Sequence, residues 1–109
     1  MINWTIIYYS EIVQDEIAGL PPGMLARYLR YADRMEKYGP DLGMPHTRAM
    51  GKGLFELRLK TQEGIARIFY CTIVKRKIVM LHSFVKKTQK IPPKELALAR
   101  QRMKEINPC

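Results

Sequence analysis

The sequence contains few cysteines, few acidic residues and no long apolar run. Its 109 residues include two cysteines, Cys71 and Cys109, and no Cys-x-x-Cys pair, which indicates neither a disulfide framework nor a zinc motif. We interpret Cys71 as a small core residue. Apolar stretches of only a few residues predict no membrane-spanning helix. The N-terminus has no signal-peptide pattern, and we expect a cytoplasmic protein that is not inserted in a membrane.

Basic residues outnumber acidic residues by a wide margin. Nineteen Lys and Arg against ten Asp and Glu give a formal net charge of +9 and a pI near 9.8. Charge of this sign attracts polyanions, so nucleic acid, an anionic membrane surface and an acidic protein are candidate partners. Alternatively, the excess of positive charge serves only to keep the protein soluble. The length and the 47% hydrophobic content predict one folded domain, 1–109, with a single modest core.

The first half of the chain predicts a strand and two helices. A β-branched and aromatic run, 3–9, is typical of a strand. Ser10 can cap a short helix that follows, and a second helix is predicted over 24–38. Four glycines and two prolines in residues 39–53 predict a loop. These elements form a strand followed by a helical hairpin.

The second half predicts three strands and a helix. The strands, 54–60, 65–74 and 78–85, are joined by short turns, which is typical of an antiparallel meander. The N-terminal strand joins the same sheet because it cannot pair its backbone alone. A helix over 92–106 follows. We predict an α+β fold of order β-α-α-β-β-β-α: a four-stranded, mostly antiparallel sheet with the helical hairpin on one face and the C-terminal helix partly covering the other.

The strand pattern predicts a basic surface on the second face of the sheet. Arg58 and Lys60 alternate with leucines, and Arg67 interrupts an apolar strand, so its side chain must reach water, a carboxylate or a ligand. Cations neutralise phosphates and an aromatic ring stacks on an unpaired base, so this surface suits single-stranded nucleic acid. The candidate residues are Arg58, Lys60, Arg67, His82, Phe84, Lys86, Lys87 and Lys90.

Structural interpretations of the same residues stay open. Arg58 can pair with Glu56 or Glu63 across strands, and Arg67 can belong to a structural ion pair. His82 can be a packed strand residue, and Phe84 can fill the core. Lys86, Lys87 and Lys90 can form the solvated end of a strand.

The inventory of side chains favours one reaction class. The sequence has no glycine-rich phosphate loop, no nucleophilic serine elbow and no metal-ligand spacing. RNA supplies its own nucleophile, the 2′-hydroxyl, so cleavage needs only charge stabilisation and proton transfer from basic residues. If the protein is an enzyme, its reagents are therefore mostly basic residues, and the inventory fits a metal-independent endoribonuclease that needs no cofactor. Catalytic candidates are Arg58, Arg67, His82, Lys86 and Lys87; RNA-binding candidates are Lys60, Phe84 and Lys90.

Three motifs resemble the phage-derived branch of the RelE/HigB toxins of bacterial toxin–antitoxin modules. They are "GLFELR" (53–58), "RIFY" (67–70) and "HSFVKKTQKIP" (82–92), in that order. The resemblance implies a RelE-like fold and a ribosome-dependent endoribonuclease that cleaves mRNA in the A site without a metal. It also implies a cognate antitoxin, usually a helix-turn-helix protein, and binding to promoter DNA only as the toxin–antitoxin complex.

The resemblance also assigns residues. Arg58, Arg67 and the segment with Phe84, Lys86 and Lys87 occupy the positions of the family's basic active site. Family members often have a tyrosine or histidine near the C-terminus for proton transfer, and this chain has neither after His82. The general acid and base therefore stay open among His82, Lys86 and Lys87.

Two other functions remain as alternatives. One is a non-catalytic basic module that binds RNA or the ribosome, which the missing C-terminal residue favours. The other is a gyrase-inhibiting toxin of the same fold, against which the basic segment argues.

Overall fold

A computed structural model describes residues 3–86 and 90–106 of the chain. The described residues form a five-stranded mixed sheet with helices packed on both faces. The elements, in chain order, are β1 (Thr5–Tyr8), α1 (Glu11–Ala18), α2 (Pro22–Tyr38), β2 (Thr47–Gly51), β3 (Leu54–Thr61), β4 (Gly64–Ile73), β5 (Lys77–Lys86) and α3 (Pro93–Ile106).

The sheet contains the predicted meander and the predicted N-terminal strand. The strand order is β1-β5-β4-β3-β2, and β1 pairs in parallel with β5 while the other neighbours are antiparallel. The helical hairpin follows β1 directly. Ser10 is the N-cap of α1, because its hydroxyl accepts a hydrogen bond from the Val13 backbone N–H at 3.2 Å, as predicted.

The prediction of four strands is wrong by one strand. Residues 47–51, predicted as part of a loop, form β2, which pairs antiparallel with β3 from Thr47 opposite Leu57. Glycines favour a loop in a local reading of the sequence. Here Gly51, Lys52 and Gly53 have φ values of 93°, 56° and 88°, so they turn the chain back onto β3. The strand conformation of β2 therefore depends on pairing with β3 and does not follow from the local sequence.

Each face of the sheet has its own apolar cluster. The helical hairpin packs on one face, with Met24, Tyr28 and Met35 of α2 buried against strand residues such as Ile68. On the other face α3 packs over Cys71, which is 1% exposed and is a core residue as predicted. Other members of this second cluster are Leu54, Phe69, Val79, Leu81 and Ala99. Within the described ranges, none of the helices combines the length and apolar character needed to cross a membrane.

Candidate functional site

The strand register brings predicted site residues into adjacent rows on the face that α3 partly covers. Arg58 of β3 lies directly opposite Arg67 of β4, and Arg67 lies opposite Phe84 of β5. In the neighbouring row, Lys60 and Lys86 lie opposite the same β4 residue. Side chains opposite one another have Cβ atoms about 5 Å apart. We call this surface the basic face; it consists of Arg58, Lys60, Arg67, Phe84 and Lys86.

Arg67 does not face solvent in this structure. Its side chain is 2% exposed, and Nη1 donates a 2.7 Å hydrogen bond to Oε2 of Glu56, which is itself fully buried. A second guanidinium, that of Arg48, lies 3.5 Å from Oε1 of the same carboxylate. Of the three environments predicted for Arg67, the structure shows the carboxylate. Arg67 therefore belongs to a buried ion pair in which Glu56 compensates its charge.

His82 is a packed residue that links the sheet to α3. It is 8% exposed, and its Nε2 lies 2.9 Å from Oε1 of Glu95. Its ring stacks on that of Phe84, with centroids 5.8 Å apart. When Nε2 carries the proton and donates to Glu95, Nδ1 is the unprotonated nitrogen, and Nδ1 is buried without a hydrogen-bond partner among the described residues. His82 is thus fixed in orientation and shielded from solvent.

The exposed cations among the described candidate residues are lysines. Lys60, Lys86 and Lys90 are exposed, whereas Arg58 is half-buried. Phe84 is also half-buried, and its ring lies against that of Phe69 with centroids 5.8 Å apart. The predicted candidate Lys87 lies outside the described residues. Lys60 and Lys86 are therefore the members of the basic face most accessible to a bound anion.

A groove borders the basic face at the outer edge of β3. Its volume is about 700 Å³. We call it the β3-edge groove; its lining consists of Arg27, Tyr31, Pro45, His46, Arg58, Lys60, Thr61 and Gln62. Two of these residues, Arg58 and Lys60, also belong to the basic face, so the two surfaces are continuous.

Sequence reasoning missed two residues of this region. The sequence predicts Glu56 only as a partner for Arg58, although the alternation of β3 places it on the same face as Arg58 and Lys60. That alternation was the available signal. Arg27 lies on α2 with the same spacing as other solvent-facing arginines, so no local pattern distinguishes it. In the part of the chain that the structure describes, no cluster of three or more His, Cys, Asp or Glu residues is arranged to hold a metal ion.

Comparisons with known proteins agree with this architecture. Residues 15–104 match the family described as phage derived protein Gp49-like (DUF891). The structure is similar to that of a double arginine-to-alanine mutant of the E. coli toxin RelE in the free state, with a TM-score of 0.67, 11% identity, and coverage of 93% of this chain and 98% of that chain. No protein of curated function matches the chain by sequence. The chain therefore belongs to the phage-derived Gp49-like family, and its fold is RelE-like.

Proposed function

We propose that the protein is the toxin of a type II toxin–antitoxin module and cleaves mRNA in the A site of the translating ribosome. Family membership and the RelE-like fold support a toxin of the RelE type. The observation on which cleavage rests is the pair of cross-strand rows that bring Arg58, Lys60 and Lys86 to one surface. Cations in such an array stabilise the negative charge that develops on a phosphate under attack.

The proposed reaction uses the 2′-hydroxyl of the RNA as nucleophile. The O2′–P bond forms, the P–O5′ bond breaks, and the products are a 2′,3′-cyclic phosphate and a 5′-hydroxyl. Lys60 and Lys86 contact the phosphate oxygens, and Phe84 stacks on an unpaired base. One proton leaves the 2′-oxygen and one reaches the 5′-oxygen, with Lys86, Lys87 and His82 as the candidates for these transfers. Neither a metal nor a cofactor is needed in this scheme.

The partners follow from the same proposal. The substrate is mRNA held by the ribosome, and the protein acts in the cytoplasm, where translation takes place. A cognate antitoxin of the helix-turn-helix class neutralises the toxin by placing an acidic surface over its cations. Promoter DNA is bound only by the toxin–antitoxin complex.

A pair of lysines on one strand tests the role of the basic face. Lys86 lies at the basic end of β5 and Lys77 at its other end, and both are exposed. We expect Lys86→Ala to lower the rate of mRNA cleavage about tenfold to a hundredfold, because one phosphate-neutralising charge is lost. The measurement is the appearance of new 5′ ends in translating mRNA, together with growth arrest on induction.

Lys77→Ala is the control, since it removes the same charge from the same strand. We expect it to cleave like the original protein, and circular dichroism checks that both variants are folded. Equal cleavage by the two variants would exclude Lys86 from the site. A complete absence of new 5′ ends with the unmodified protein would reject the cleavage proposal itself.

A second candidate function is RNA or ribosome binding without cleavage. The observation that favours it is that His82 is shielded and bonded to Glu95, while the Arg67 guanidinium is bonded to Glu56. Salt-sensitive RNA binding with no new 5′ ends identifies this function.

A further inference from the structure

We propose that the β3-edge groove binds a nucleotide of single-stranded RNA adjacent to the scissile phosphate. The inference rests on the proposed function, because it extends the path of the same RNA strand. The ligand is a nucleoside phosphate unit: an anionic phosphate held by cations and a base held against an aromatic surface.

The charges that line the groove favour an anion. Arg27 of α2 and Lys60 of β3 line it from two different elements, and Arg58 of β3 also belongs to the lining. The described residues that line the groove include no carboxylate. Among the described residues, neither Arg27 nor Lys60 forms an ion pair within 4.0 Å. Like charges such as those of Arg27 and Lys60 repel each other across the groove, and a bound phosphate reduces that repulsion.

The groove also offers an aromatic surface for a base. His46 is half-buried, and its ring lies 4.8 Å from the ring of Tyr31, measured between centroids. Tyr31 is 6% exposed and belongs to the core beneath. The core tyrosine therefore supports the imidazole from behind and leaves its outer side available. Stacking of this kind is tolerant of base identity, because every base has a π-face.

The local topology connects the groove with the basic face. β2 pairs with β3 only as far as Thr47 opposite Leu57, and beyond that point the Arg58 N–H donates to the His46 carbonyl. The outer edge of β3 from Lys60 onwards borders the groove. A strand of RNA that crosses this edge keeps one phosphate on the basic face and places the next nucleotide in the groove. The volume of about 700 Å³ lies within the range of ligand sites.

Two arginines of α2 provide a matched test. Arg27 lines the groove and Arg34 does not, and both are exposed residues of the same helix. The probe is a short fluorescent 2′-O-methyl oligoribonucleotide, which cannot be cleaved by attack of a 2′-hydroxyl. We expect Arg27→Ala to bind it about tenfold more weakly and to lower the salt slope by about 0.7, the value for one single-strand phosphate contact. Arg34→Ala binds within about twofold of the original protein.

A second readout uses the ribosomal cleavage assay. Arg27→Ala raises KM and leaves kcat unchanged, because a contact to a flanking nucleotide stabilises the bound substrate and the transition state equally. Circular dichroism and thermal unfolding check that the Arg27 and Arg34 variants are equally folded.

The outcomes separate this inference from the proposed function. Equal oligonucleotide binding by the Arg27→Ala and Arg34→Ala variants overturns the groove as an RNA site, even if the unmodified protein cleaves mRNA. Selective loss of binding in Arg27→Ala supports the groove, even if no cleavage is found and the proposed reaction fails. If Arg27→Ala binds the oligonucleotide normally and loses affinity for the antitoxin, the groove binds an acidic protein segment and the inference is wrong.

Discussion

Glu56 is a buried carboxylate beneath a cationic surface. It is fully buried and lies between the guanidinium of Arg67, at 2.7 Å, and that of Arg48, at 3.5 Å. A buried charge is tolerated only when it is paired and hydrogen-bonded. Glu56 thus holds the Arg67 side chain in place under the exposed lysines. Its role is to position Arg67.

Removing Glu56 is therefore expected to destabilise the fold more than removing its exposed partner. Glu56→Ala leaves the Arg67 charge buried without this carboxylate, and we expect the free energy of unfolding to fall by about 3–5 kcal/mol. Glu56→Gln keeps an acceptor oxygen and costs less. Arg48→Ala, the control, changes stability by about 1 kcal/mol or less, because that side chain is 44% exposed. Urea denaturation measures all three, and similar losses in all three would contradict the assignment.

The sequence predicts which residues share a face but does not predict their partners. Alternation along β3 places Arg58 and Lys60 together on one side of the sheet, and the structure agrees. The Arg67–Glu56 pair is diagonal across two strands and depends on the register. The length of the turn between β3 and β4 sets that register, and a bulge at Phe69 and Tyr70 shifts the separate pairing of β4 with β5. Local patterns cannot supply this information.

The same limit applies to whole elements. The hairpin helices and β3 to β5 follow from periodicity that each segment shows by itself. β2 contains glycine and becomes a strand only because β3 offers unpaired backbone groups beside it. The groove is likewise formed by α2, the chain before β2, and β3 together. Its cations are visible in the sequence, but their convergence depends on tertiary contacts.

Helix α3 is held on the sheet by apolar packing and by polar contacts. Ala99 is buried in the cluster under the helix, and Leu96, Met103 and Ile106 pack against that cluster while partly buried. The bulge leaves Leu81 as the extra residue of β5, and Nη1 of Arg102 donates to the Leu81 carbonyl at 2.7 Å. The Arg102 guanidinium also lies 4.9 Å from the centroid of the Tyr9 ring. Arg102 therefore satisfies a carbonyl that the strand pairing leaves available.

Substitution of Arg102 tests this attachment. Arg102→Ala removes the donor to the Leu81 carbonyl, which costs about 1–3 kcal/mol. We expect amide hydrogen exchange in α3 to become about tenfold faster, while amides of the central strand β4 exchange as before. Lys104 is an exposed residue of the same helix. Lys104→Ala is therefore the control, and we expect it to leave amide exchange in α3 unchanged. Equal acceleration in α3 and β4 would show that Arg102 stabilises the whole domain and does not act locally.

At the scale of the whole molecule, neutral titratable groups lie in both apolar clusters. Tyr28 and Tyr70 belong to the cluster under the helical hairpin, and burial raises the pKa of each phenol above its usual range. Cys71 belongs to the cluster under α3, and burial raises the pKa of its thiol to about 11 from the ordinary value of 9.0. In each case the fold favours the neutral form, because the charged form is poorly solvated in the core.

The stability of the domain is therefore expected to decline in alkaline solution. A group with a raised pKa in the folded state loses its proton more readily in the unfolded chain, so the free energy of unfolding is unaffected below the unfolded pKa and falls above it. For Cys71 the fall begins near pH 9.0 and levels off above pH 11, where it totals about 3 kcal/mol. The tyrosines extend the loss to higher pH.

Urea denaturation at several pH values measures this effect. The comparison that isolates it is Cys71→Ala against the original protein, because lysines titrate equally in both and their contribution cancels. We expect the difference in free energy of unfolding between the two proteins to shrink by about 2 kcal/mol from pH 9 to pH 11, since the variant has no thiol to ionise. Tyr28→Phe repeats the test in the other cluster at higher pH. A difference that stays constant across the range would mean that the thiol ionises as easily in the folded domain as in the unfolded chain.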